Sequence, residues 1–136
     1  MARDKFHNIV RVALEKDGWQ ITDDPLSLKS GEVEFEIDLA AEQLIAATRN
    51  NQKIAVEIKS FISSSPTSDF HTALGQFINY RDALEILEPD RTLYLAVRTA
   101  VYKSFFQRPF IINSVRRYKL RLLIYDVKQE VISEWL

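Results

Sequence analysis

Helical and strand periodicities alternate along this sequence, and their order predicts an α/β (α+β) fold in which a mixed central β-sheet is flanked by α-helices. Three observations carry that expectation. Apolar residues recur at helical spacing from Phe6 to Leu14 and again from Phe70 to Leu84. Val33, Phe35, Ile37 and Leu39 alternate with Glu34, Glu36 and Asp38, the period-two pattern of a strand with one buried face. Short apolar runs at Lys53–Ser60, Leu93–Val97 and Leu120–Asp126 complete the set of sheet candidates.

In chain order, a first helix is expected over Asp4–Asp17, with Phe6, Ile9, Val10, Ala13 and Leu14 on one side and Gly18 placed to stop it in a left-handed conformation. Trp19-Gln20-Ile21 begins a short strand, which Asp23-Asp24-Pro25 breaks because proline constrains itself and its predecessor. Leu44–Thr48 reads equally as helix or strand, and Arg49-Asn50-Asn51-Gln52 reads as a turn into the strand Lys53–Ser60. Such short turns cannot carry a crossover, so the early strands are expected to pair antiparallel. After the Ser63-Ser64-Ser65-Pro66 loop, Ser68 or Asp69 is the expected cap of a second long helix. Leu93–Val97 is a strand, Phe110–Tyr118 a helix, Leu120–Asp126 a strand and Val131–Trp135 a final strand. The 136 residues fit a single domain spanning 1–136, with no repeat or linker.

Composition narrows the function. The chain has no cysteine, which removes disulfides, thiolate metal sites and a cysteine nucleophile, and its two histidines cannot build a histidine cage, so any metal is expected on oxygen ligands. Met1-Ala2-Arg3-Asp4-Lys5 lacks the apolar core of a signal sequence, and no apolar run approaches the roughly 18 residues of a membrane span, so a cytoplasmic protein with no membrane contact is expected. The formal charge of −1 hides an asymmetry: Arg91–Tyr125 contains eight basic residues and no acidic one. The segment suits a phosphate-facing patch opposite an acidic pocket, or a set of solvated and paired charges.

Glu57 and Lys59 are two apart on an expected strand and so share a side, while Val56 and Ile58 turn to the other. Asp38 lies on another expected strand. If the two strands pair in register, two carboxylates and an ammonium converge. Mg²⁺ (or Mn²⁺) takes oxygen ligands and commonly one or two carboxylates, and a neighbouring lysine is placed to orient or deprotonate an attacking water or to stabilise developing charge. The tripeptide alone says little: with 19 acids among 136 residues, about one acid-x-Lys match is expected by chance. Asp126-Val127-Lys128 is a second match, but the acid-free stretch before it offers no partner. His7 and His71 show no carboxylate or nucleophile partner and are assigned nothing. Trp19, Trp135, Phe105 and Phe106 are read as packing residues rather than base-stacking platforms.

Phe35-Glu36-Ile37-Asp38-Leu39 followed by Ala55-Val56-Glu57-Ile58-Lys59-Ser60 resembles the motif pair of PD-(D/E)XK nucleases. Closer still, Glu36–Glu42 and Lys53–Phe61 resemble the XisH family, the fdxN element excision controlling factors of cyanobacteria, over nearly the whole chain. The resemblance implies a restriction-endonuclease-like fold, metal ligands at Asp38 and Glu57, Lys59 as the catalytic partner, and a role in programmed DNA excision beside a recombinase and a small XisI-like protein. Ile37 replaces the proline that usually precedes the aspartate, a departure from the pattern. Gln76 and Tyr80, four apart on the second long helix, resemble the Q-x-x-x-Y element of RecB-like nucleases, and also fit an ordinary amphipathic helix. Glu15 resembles the additional metal-facing acid of many such enzymes, yet its four-residue alignment with His7 and Arg11 equally fits an exposed ion-paired face. Three functions follow as expectations: a Mg²⁺-dependent endonuclease acting on DNA phosphodiesters during excision, a catalytically inactive nuclease-fold subunit working through an XisI-like partner, or a plain α/β interaction domain. A homo-oligomer through exposed strand edges or the Phe105-Phe106 region is also open.

Overall fold

A computed structural model of the chain describes residues 6–28 and 44–136. The expected strand over Val33–Leu39, with Asp38 on it, lies outside the described residues.

Helix α1 (His7–Lys16) ends where Gly18 takes φ +89°, a conformation that costs other residues a Cβ clash. Strand β1 (Gln20–Asp23) pairs antiparallel with β2 (Leu44–Arg49), and β2 with β3 (Gln52–Ile58). The ambiguous Leu44 segment is therefore strand, with its first four residues buried because sheet neighbours and packing on both faces decide what local pattern could not. Asn50 and Asn51 both take positive φ, 49° and 69°, the geometry of a two-residue hairpin turn, which asparagine tolerates better than most side chains.

Helix α2 (Pro66–Leu87) then crosses to β4 (Arg91–Arg98), which lies parallel to β3. Its cap is Ser65 rather than the expected Ser68 or Asp69: the Ser65 hydroxyl accepts from the Ser68 amide at 3.2 Å, and Pro66 occupies the first turn, where a missing N–H costs nothing. A second crossover, made of short helix α3 (Thr99–Lys103), a 3₁₀ turn (Phe105–Gln107) and helix α4 (Pro109–Arg117), leads to β5 (Leu122–Asp126), parallel to β4. Strand β6 (Val131–Trp135) closes the sheet antiparallel to β5. The result is one six-stranded mixed sheet in the order β1-β2-β3-β4-β5-β6, flanked by helices. No helix among the described residues is long and apolar enough to cross a membrane.

Side-chain alternation gives the sheet two apolar faces. On one, Ile54, Val56 and Ile58 of β3 join Val10 and Leu14 of α1. Trp19 and Trp135, from opposite edges of the sheet, meet on this face with ring centroids 5.7 Å apart. On the other, Ala55 joins Leu44, Leu95 and Val97 under Phe70, Phe77, Tyr80 and Leu84 of α2. Phe105 and Phe106 are buried there against Phe61 and Phe70, so this pair packs the core and presents no surface for self-association.

Candidate active site around Glu57

Because Ile54, Val56 and Ile58 point toward α1, Glu57 points toward α2. Its Cα neighbours across the sheet are Leu44 on β2 and Leu95 on β4, both members of the α2-side core. The sequence thus places a carboxylate in the middle of a sheet between two leucines. Glu57 is 0% exposed, and neither of its carboxylate oxygens has a hydrogen-bond partner among the described residues. Burial pushes its acid well above the usual carboxylate range, while the charge of Lys59 acts the other way.

Lys59 is the first residue beyond β3 and is half-buried, held between three buried neighbours: Ile58, Ser60 and Phe61. The Ser60 carbonyl accepts from the Arg98 guanidinium at the end of β4, and Arg91 at the start of β4 donates to the Ile54 carbonyl at 2.9 Å. Two arginines therefore fasten β4 to β3 on either side of Glu57. They belong to the basic segment that the sequence presented as one group, and they serve the scaffold; their partners lie 37 and 38 residues away, beyond any local pattern.

From α2, Tyr80 enters the same core, 1% exposed, with a hydroxyl that has no hydrogen-bond partner among the described residues. Burial raises its phenol pKa, and the Glu57 charge adds to the rise, so the two groups sense each other electrostatically. Gln76 lies one turn earlier on α2 and is half-buried. Asp38 is outside the described residues, and among those described no three His, Asp or Glu side chains gather as a metal site.

Glu15 is not brought to this carboxylate. It is exposed near the C-terminal end of α1, the helix that covers the opposite face of the sheet. Its helical neighbours His7 and Arg11 do not form an exposed ion-paired face with it; both reach Asp24. The His7 Nε2 lies 2.8 and 2.9 Å from the two Asp24 oxygens, and Arg11 Nη1 donates to Oδ2 at 2.7 Å. His7 thus has a carboxylate partner that sequence reasoning missed, since Asp24 read only as part of a chain-breaking Asp-Asp-Pro. Asp126, of the second acid-x-Lys match, accepts from the Gln129 amide at 2.8 Å and shapes the β5–β6 turn.

The family model described as XisH protein matches residues 1–133. The chain belongs to the XisH family. A crystal structure of an XisH family protein from Nostoc punctiforme is 54% identical to it, covers 98% of this chain and 99% of that one, and superposes with a TM-score of 0.88. An fdxN element excision controlling factor protein from Anabaena variabilis is 55% identical, covers 98% of each chain, and also gives a TM-score of 0.88. Among curated proteins, none matches this chain. Placement in the XisH family agrees with the resemblance carried by Glu36–Glu42 and Lys53–Phe61.

Proposed function

We propose that this XisH-family chain acts in the cytoplasm on DNA phosphodiesters during element excision, through a Mg²⁺-dependent (or Mn²⁺-dependent) endonuclease site of the PD-(D/E)XK type. Asp38 and Glu57 are its metal ligands and Lys59 its catalytic partner. One observation carries the reading: a wholly buried carboxylate with both oxygens unpartnered among the described residues, followed two positions later by a lysine. An ionised carboxylate is costly to bury without a counter-charge, and a hard cation satisfies such oxygens. When bound, the ion would supply Lewis-acid polarisation of a phosphoryl oxygen and a more acidic water. The chain's own residues do the remainder. Glu57 holds its position from the centre of the sheet, and the flanking leucines keep bulk water from its carboxylate. Lys59, pinned by the buried residues on both sides of it, orients the attacking water or offsets charge building on the phosphate. Gln76 and Tyr80 position the substrate from α2.

A second reading, in which the protein is an inactive subunit working through an XisI-like partner, draws support from a net charge of −1, which is weak for an autonomous DNA binder. Purified protein incubated with branched, single-stranded and duplex DNA and Mg²⁺ or Mn²⁺ separates the two. Cleavage by the wild type that falls by roughly 100-fold or more in Glu57→Ala and Lys59→Ala supports the nuclease. Equal cleavage by all three proteins marks a contaminant, and no cleavage of any substrate favours the inactive subunit.

A further inference from the structure

Arg91 and Arg98 are spent on the scaffold, but the basic segment does form a surface elsewhere. The C-terminal end of α4 and the turn into β5 carry Arg117, Lys119 and Arg121, all exposed. Arg81, from α2, donates through Nη1 to the Tyr118 carbonyl at 2.8 Å and to the Lys119 carbonyl at 3.2 Å, tying this corner to the helix that covers Glu57. Between them lies a cavity of about 570 Å³, with Phe77 and Arg91 among its lining residues. Arg81, Arg117, Lys119 and Arg121 line it against two carboxylates, Asp82 and Glu85, while Arg91 is paired with Glu88 at 2.9 Å, so its local charge opposes that of the chain as a whole. Tyr118 is 39% exposed beside these cations, with the Arg117 guanidinium 6.0 Å from its ring centroid.

We propose that this corner is a binding surface for the sugar–phosphate backbone of DNA, separate from the Glu57 site. Clustered, exposed cations release counterions when they meet phosphates, and a neighbouring exposed aromatic ring adds stacking that does not depend on base identity. A cavity of this size is larger than one phosphate requires, and its cations are spread over α2, α4 and the turn into β5, which suits an extended polyanion. The choice of DNA rests on the function proposed above; the surface itself rests on charge and exposure.

The test is fluorescence anisotropy of the full chain with labelled duplex and single-stranded oligonucleotides in EDTA, across a salt series. The corner variant combines Arg117→Gln, Lys119→Asn and Arg121→Gln; asparagine is chosen because position 119 has φ +53°. A charge-matched control combines Lys103→Gln, Arg108→Gln and Lys128→Gln, three exposed cations away from the cavity. Thermal melts establish that both are folded. The corner variant is expected to bind at least tenfold more weakly and to lose about 2 to 3 from the slope of log K against log salt on duplex DNA, while the control changes less than threefold. The proposal is overturned if both triple variants weaken binding equally, if neither does, if the wild type binds no DNA at low salt, or if free mononucleotide displaces the probe as well as oligonucleotide. No cleavage of any substrate by the wild type with this pattern intact sinks the nuclease reading alone, and cleavage without the pattern sinks the corner alone.

Discussion

Asp24 and Glu57 are both carboxylates removed from water, and the fold treats them in opposite ways. Asp24, with a side chain 4% exposed, is met by His7 and Arg11 within 2.9 Å. Glu57, at 0%, meets two leucine neighbours and no hydrogen-bond donor among the described residues. The first arrangement is accounted for by stability alone, since it joins α1 to the end of β1. The second is a local defect by the same standard, because a buried polar group without a partner costs about 1 to 3 kcal/mol, and more when charged. Burial with satisfaction fits a structural acid; burial without it fits the metal ligand proposed above.

The contrast breaks first at Asp24. Asp24→Ala leaves a buried histidine and a partly buried arginine without their carboxylate, an expected loss of about 3 kcal/mol, reduced from the fully buried case because Arg11 is 34% exposed. Thermal unfolding should show a melting temperature lower by about 10 °C. A change of only a degree or two would mean that satisfaction of Asp24 contributes little and that the comparison carries no weight.

The next effect comes from the cation. Mn²⁺ or Mg²⁺ at 100 times its Kd should stabilise the wild type by about 2.7 kcal/mol, and do nothing for Glu57→Gln. The shift should grow as pH rises, because only the ionised acid binds the ion and burial has pushed its titration upward. Equal shifts in both proteins would place the ion elsewhere.

In EDTA, Glu57→Gln should differ from the wild type with the sign that burial dictates. A folded-state pKa raised above the unfolded value means that protonated Glu57 contributes stability fully present below the ordinary carboxylate range and lost as pH rises through the raised value. The amide mimics the protonated acid and does not titrate. Between pH 5 and pH 9 the wild type should therefore lose about 4 °C or more relative to the variant. Parallel curves would show that Glu57 is solvated or paired after all.

The two acids also differ in how far their surroundings could be read from sequence. Glu57 was legible because strand alternation is local: Ile54, Val56 and Ile58 fix which side it takes. That it sits between Leu44 and Leu95 required knowing the sheet order, and the Leu44 segment read equally as helix. The β2–β3 turn was legible from Asn50-Asn51, while the Ser65 cap was not, because Ser63, Ser64, Ser65 and Ser68 compete within six positions. The α3 and 3₁₀ segment shows no periodicity to read. Asp24 was hidden for a different reason: its partners lie 13 and 17 residues back on a helix whose direction no local pattern supplies. Arg91 and Arg98 looked like two members of a phosphate patch until the sheet brought them to β3.

The smallest expected effect concerns Tyr80, which like Glu57 has no hydrogen-bond partner for its buried polar atoms among the described residues. Its hydroxyl is buried and unpaired among the described residues, so Tyr80→Phe removes a desolvated group without breaking a hydrogen bond. Stability should change by less than about 0.5 kcal/mol, in either direction, by urea titration. Catalysis gives the sharper reading. If Tyr80 touches substrate beside Glu57, the variant keeps its fold while its cleavage rate drops about tenfold or more. If the tyrosine only fills the core, both stability and cleavage stay as they are, and the proposed role under α2 falls to Glu57 without it.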